Sequence, residues 1–296
     1  MAYGRRLLAI YRGCDDTVEE GRLSILLAQM YRRQKMYADA KQLLERPIPV
    51  IQPTDKRREE CAYRELGNEL HSIGEYVKAR EHYEKALAIS MEMGNRAGEA
   101  PCCANLGSVL RSLGEYVEAK EYYEKALAIS MQIGDKVGEA VCYGSLGKVF
   151  QSLGEYFKAK EYYERALSIN MEIGDKAVRA TCYGNLGPLF YALGEYVKAK
   201  EYYEKALAIS VEIGDRVGEQ RSHGNLGTLF HCLGEYRKAE EYHEKGLAIE
   251  MEIGEREGQL RTCLNLAAVF VELGEYRKRK SYCDKALAIR LLPNGR

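Results

Sequence analysis

The chain has 296 residues, 46% of them hydrophobic and 30% charged, and its 44 basic residues are matched by 44 acidic ones for a formal net charge of zero. This is the composition of a compact, water-soluble chain, and the lack of a basic excess argues against nucleic acid as a partner. The longest apolar runs, Leu7 to Ile10 and Ile25 to Ala28, fall far short of the roughly 18 residues that span a bilayer. The amino terminus has no apolar leader and carries Ala2 where myristoylation needs glycine, so the cytoplasm is the expected compartment.

In chain order, the first element is Arg6 to Gly13 (RLLAIYRG), which reads like the tail of a second helix in a repeated pair; compare Lys205 to Ile213. Residues 1–19 are therefore expected to be the remnant of a preceding repeat. A degenerate unit follows, with Leu27-Ala28-x2-Tyr31 and Ala40-x3-Leu44, ended by Pro47 and connected through Pro49 and Pro53. From there one pattern dominates. Gly-Glu-Tyr recurs at Gly74, Gly114, Gly154, Gly194, Gly234 and Gly274, always 40 residues apart, and a fixed period of that size predicts a solenoid.

Within one unit, Tyr183, Leu186 and Phe190 share one helical face, and Tyr196, Ala199, Tyr203, Ala206, Leu207 and Ile209 share a second. Each unit is thus predicted to be two antiparallel helices. Gly194 ends the first in a left-handed turn, and Asp215 caps the next unit's first helix, as Asp135 and Asp175 do in theirs. Gly184, Gly187, Ala199 and Ala206 leave room for Tyr183, Phe190 and Tyr203 to interdigitate. Pro188 falls inside a first helix, where it removes a donor and presses on the carbonyl of Gly184. Ala286 to Leu292 completes the last second helix before Pro293-Asn294-Gly295, and a solenoid end without a polar cap makes this helix a candidate for self-association. Nine cysteines, an odd number without a CxxC pair, are expected to be reduced; Cys142 and Cys182 occupy equivalent buried places.

The code Tyr183-x2-Leu186-Gly187-x2-Phe190, then Ala199-x3-Tyr203-x2-Ala206, resembles the tetratricopeptide repeat, with Tyr in the place of Trp. The resemblance covers nearly the whole chain. It implies an all-α fold, a right-handed α-α superhelical solenoid of antiparallel helix pairs. Residues 20–292 form one solenoid of seven repeats (about 20–59, 60–99, 100–139, 140–179, 180–219, 220–259 and 260–292), with 293–296 as a tail. The period of 40 resembles the extended units of the Pins/LGN type, of kinesin light chains and of invertebrate signalling arrays. The Leu-Gly-Asn signature itself stands only at Leu66-Gly67-Asn68.

In that family the first helices line the concave groove, which places an asparagine ladder there: Asn105, Asn185, Asn225 and Asn265, interrupted by Ser145 and preceded by Glu65. An amide offers two donors and an acceptor to the backbone of an extended peptide, or tethers neighbouring helices. Arg111, Tyr191 and His231 stand six residues after ladder positions, Arg221 and Arg261 one turn before, and Arg64 and Lys148 at other groove places. These cations favour a protein or peptide segment with acidic residues. Arg64, Asn68 and Asn105 resemble half of a carboxylate clamp whose other half is absent at Val141 and Ser145. Catalysis lacks its parts: the five histidines (His71, His82, His223, His231, His243) form no HExxH, and the glycine-rich Gly184 to Gly187 follows no strand. No enzyme activity, cofactor or metal is expected. The expected function is a protein-interaction adaptor or scaffold; the alternative is a spacer or oligomerisation array making its contacts through uncapped ends.

Overall fold

The computed structural model describes residues 56–291 together with Leu26, Leu27 and Met30. The readings of the amino-terminal remnant, most of the degenerate first unit and the tail lie outside the described residues. Among the described residues the chain is all-α, with twelve helices: α1 (Lys56–Ser72), α2 (Tyr76–Glu92), α3 (Arg96–Leu113), α4 (Tyr116–Ile133), α5 (Lys136–Ser152), α6 (Tyr156–Ile173), α7 (Lys176–Ala192), α8 (Tyr196–Ile213), α9 (Arg216–Cys232), α10 (Tyr236–Ile253), α11 (Arg256–Glu272) and α12 (Tyr276–Leu291). The chain divides into two compact units, one ending at Leu153 and the other beginning at Gly154. In the first, α1 pairs with α2 and α3 with α4; in the second, α7 pairs with α8, α9 with α10 and α11 with α12.

The boundaries follow from local chemistry. Asn95, Asp135 and Asp215 accept from the amides of Gly98, Gly138 and Gly218 at 3.2, 3.0 and 3.0 Å, and Asp175 accepts from Val178 at 3.1 Å. Each cap satisfies an orphan N–H and sets a carboxylate or amide against the positive end of its helix. Gly194 and Gly214 take φ of +75° and +71°, a left-handed conformation in which a side chain would be strained. Pro188 does not break α7, and Pro101 lies likewise within α3.

The core follows the size code. In the first unit Leu27, Leu66, Leu70, Ala79, Tyr83, Leu106 and Val109 form one cluster, and Cys103, Ala126 and Cys142 another. The glycines at 67, 107, 187 and 227 are where first and second helices approach: a Cβ there would come no more than 3.0 Å from the rings of Tyr83, Tyr123, Tyr203 and His243. In the last hairpin the pair changes together, glycine to Ala267 and ring to Cys283. On the outer surface Arg165 and Lys245 pair with Glu161 and Glu241 at 2.6 Å, as expected for i,i+4 neighbours.

The last described helix carries charge among its exposed apolar residues. Position 279 is arginine where Ala79, Ala119, Ala159, Ala199 and Ala239 are fully buried, and position 290 is arginine where Ser90, Ser130 and Ser210 are buried. Arg279 and Arg290 are exposed on α12 beside exposed Leu287, so this face mixes charge with apolar surface.

Candidate functional site

Each unit sets first helices side by side, α1 with α3 and α3 with α5 in one, α7 with α9 and α9 with α11 in the other. The candidate residues lie on these helices, and the two units use them differently. In the first, the asparagines are tethers. The Tyr83 hydroxyl donates to Asn68 Oδ1 at 2.7 Å, and Asn105 Nδ2 donates to the same oxygen at 3.2 Å, joining α1, α2 and α3. Arg64 Nε pairs with Glu60 Oε1 at 3.0 Å, and that carboxylate also accepts from the Cys102 thiol at 3.5 Å. Half of a carboxylate clamp is therefore internally satisfied.

Arg111 sits with Ser108 and Ser145 around the buried Tyr123 hydroxyl; burial pushes that phenol up, and these three polar groups pull it part of the way back. Ser145, the gap in the ladder, is thus occupied in the core. His71 Nε2 lies 3.2 Å from Ser112 Oγ. Lys148 is exposed on α5.

In the second unit the amides are open. Asn185, Asn225 and Asn265 stand at matching half-buried positions of α7, α9 and α11, with no hydrogen bond from their side chains to the protein. Arg221 and Arg261 lie one turn earlier on the same helical face, exposed and in no salt bridge. The Arg221 guanidinium rests over Gly184 of the neighbouring first helix, where a Cβ would meet it at 3.4 Å. Tyr191 packs tilted on Tyr196 with ring centroids 5.6 Å apart, and burial, then Cys232, raises its phenol. His231 stands edge-on to Tyr236 at 5.6 Å. Asn185, Asn225, Asn265, Arg221 and Arg261 therefore form one register of polar groups with amides unengaged and guanidinium groups in no salt bridge, Arg261 drawn electrostatically toward Glu250, whereas Arg64, Asn68, Asn105 and Arg111 are drawn into packing.

Sequence reasoning missed two features. One is a buried polar column at the ends of second helices: Ser90, Ser130, Asn170, Ser210 and Glu250. Glu250 accepts from Gln220 at 2.5 Å and from Thr262 at 3.0 Å, leaving its second oxygen without a partner. Burial raises its carboxyl pKa against the pull of those two bonds and of the Arg261 charge. The other is a cavity of about 530 Å³ between α2, α3 and α4. Its sequence signal is the column Tyr63, Cys103, Tyr143, Tyr183, His223 and Cys263, in which four positions carry a ring and two a cysteine.

Among the described residues no group of three or more His, Cys, Asp or Glu is placed to hold a metal ion, and none of their helices is long and apolar enough to cross a membrane. The cysteines at 61, 102, 103, 142, 182, 232, 263 and 283 are free.

The family and structural comparisons agree with this architecture. Solved structures similar to the chain include BtubC (BKLC) from P. vanneervenii, at 24% identity and a TM-score of 0.63 over 82% of this chain and 94% of that one. Nearly identical TPR-like repeats of a kinesin light chain from Podospora anserina match at 20% identity and a TM-score of 0.55, over 66% of this chain and 96% of that one. A Rap protein complexed with Competence and Sporulation Factor matches at 16% identity and a TM-score of 0.67, over 93% and 85%. At these identities the likeness is one of fold. No curated protein matches the chain. A tetratricopeptide repeat model matches residues 58–132, 99–172, 143–212 and 178–252, and a second model of the same description matches 260–291. With helix pairs at a forty-residue period, glycines seated under facing rings and these matches across most of its length, the chain belongs to the tetratricopeptide repeat family.

Proposed function

We propose that the chain is a protein-interaction scaffold, built of seven forty-residue repeats between 20 and 292, that holds an extended acidic segment of a partner protein along its first helices. The observation that carries this is the register in the second unit: Asn185, Asn225 and Asn265 on three successive first helices, their amides unengaged, with Arg221 and Arg261 one turn earlier. Amides at that repeat suit the backbone of an extended chain, which offers donors and acceptors whatever its side chains. Free guanidinium groups beside them select carboxylates through charge-assisted bonds. The Rap structure complexed with Competence and Sporulation Factor supports the reading, because it is a similar fold holding a partner. Tyr191 and His231 lie further along α7 and α9 in the same unit, Lys148 is a candidate on α5 of the first unit, and the cytoplasm suits such a role.

The test is selection from a random displayed-peptide library on the intact chain, followed by fluorescence polarisation of the winners. Acidic peptides should be enriched, and the triple variant Asn185→Ala, Asn225→Ala, Asn265→Ala, folded by circular dichroism, should bind them at least tenfold more weakly. Peptides without acidic enrichment, or undiminished binding by the variant, would sink the reading. Contacts made through the ends, where Leu287 and Leu291 are exposed on α12, would then take its place.

A further inference from the structure

The cavity in the first unit is a site of a different kind. It opens between the end of α2 (Leu87, Met91), the start of α3 (Arg96, Glu99) and the outer face of α4 (Tyr122, Lys125), with Cys103 at its floor. Sister hairpins show what belongs there. In α7/α8 the Tyr183 ring lies 5.8 Å from Tyr202, under the Lys205 ammonium at 5.9 Å. In α1/α2 the Tyr63 ring lies 5.8 Å from His82, with Lys85 5.6 Å from its centroid. In α9/α10 the His223 ring lies 5.8 Å from Tyr242. Each of these hairpins has an aromatic group from the first helix wedged against the outer face of the second. In α3/α4 the corresponding residues on the second helix are Tyr122 and Lys125, but the first helix supplies only a thiol.

The other cysteine in this column has a bulkier neighbour on its own helix. Leu260 and Tyr282 pack against the cluster that contains Cys263, whereas the cluster of Cys103 has Leu87 and Tyr122 against it and the residue matching Leu260 in α3 is Ala100. Two small side chains on one face of α3, one turn apart, therefore remove the volume of a ring where its neighbours remain shaped to hold one. The volume, about 530 Å³, is that of a small-molecule pocket.

The charges on its rim also favour a particular ligand. Arg96 and Glu99 pair at 2.9 Å, and Lys125 lies 4.9 Å from the Tyr122 centroid and in no salt bridge, so the lining carries one uncompensated positive charge. The Cys103 thiol is not the reactive element: burial, with Glu99 nearby, pushes its pKa up to about 11 and keeps it protonated.

We propose that this cavity binds a small aromatic molecule bearing one negative charge. Its ring takes the place that Tyr183 fills in the sister hairpin, and its anion meets Lys125, with Arg96 beside it. A ring in that place gains the stacking and cation–π contacts for which the walls are already arranged, at little cost in reorganisation.

The test is calorimetric titration of the full chain with 4-hydroxyphenylacetate, with p-cresol as the uncharged arm and cyclohexylacetate as the charged arm whose ring is saturated and not aromatic. Saturable one-to-one binding of 4-hydroxyphenylacetate is expected, several-fold tighter than either control. Cys103→Tyr supplies the ring from the chain and should weaken binding at least tenfold. Lys125→Gln should weaken 4-hydroxyphenylacetate, which loses both the ion pair and the cation–π contact, by several-fold more than p-cresol, which loses only the latter, and it decides the matter if Cys103→Tyr fails to fold. The proposal is overturned by no saturable binding at millimolar ligand, by a folded Cys103→Tyr that still binds, by cyclohexylacetate binding as well as the aromatic acid, or by indifference to Lys125→Gln.

Discussion

His243 stands at a position where four other hairpins have tyrosine, at 83, 123, 163 and 203, and the last has Cys283. It is 1% exposed, lies against Gly227, and leaves Nδ1 without a partner. Burial, with His231 adding to it, draws its pKa down from 6.5 to about 4. A base whose pKa is depressed by folding binds its proton more readily when unfolded. Its stabilising contribution is therefore whole above about pH 6.5 and is lost as pH falls toward 4. At about 1.4 kcal/mol per unit the loss is on the order of 3 kcal/mol over that window. His243→Tyr restores the residue of the sister hairpins and should flatten this acid limb. Urea midpoints at pH 7, 5 and 4 would check it, and an acid limb equally steep in both proteins would refute the assignment.

At the scale of the helix pair, packing is set by a two-residue match rather than by either residue alone. Gly187 admits the Tyr203 ring at a distance that leaves no room for a Cβ, and the last hairpin solves the same problem with Ala267 and Cys283. Gly187→Ala alone should therefore cost about 1–3 kcal/mol through overpacking. In a Tyr203→Cys background, where the facing atom is small, the same change should cost much less or even stabilise, because alanine also favours the helix. A double-mutant cycle by chemical denaturation measures the coupling; strict additivity of the two changes would show that the match is not physical.

This also marks how far the sequence could be read. The period, the caps at Asp135, Asp175 and Asp215 and the small-to-large code were legible because they depend on neighbours within one unit. The state of the asparagines was not, because Asn68 and Asn105 are engaged by each other and by Tyr83 from three different helices, while the amides of the second unit meet no such partner. The cavity at Cys103 was hidden for a related reason: an absent ring becomes visible only when one hairpin is compared with its sisters in three dimensions.

For the whole molecule, charge is the property that matters most to recognition. Acidic and basic residues cancel over the chain, so no long-range field draws an acidic partner toward it, and any preference must arise from cations at the contact itself. They are unevenly spread: α12 alone carries six basic residues against one acidic, while Arg221 and Arg261 stand in no salt bridge beside their asparagines, Arg261 acting at longer range on Glu250. If the partner segment lies along the first helices, its affinity depends on these two guanidinium groups and on the amides. The two contributions respond differently to salt. Raising ionic strength from about 0.1 M to about 1 M shortens the screening length from about 10 Å to about 3 Å, which weakens exposed charge pairs and leaves amide-to-backbone bonds largely intact. Binding of a selected acidic peptide should therefore fall several-fold over that range in the native chain. In the Arg221→Gln, Arg261→Gln variant, affinity should start lower and change little with salt. Polarisation titrations at the two ionic strengths measure both quantities. A salt response that survives in the variant would move the charged contact away from the first helices, and the strongly basic α12 would be the next place to look.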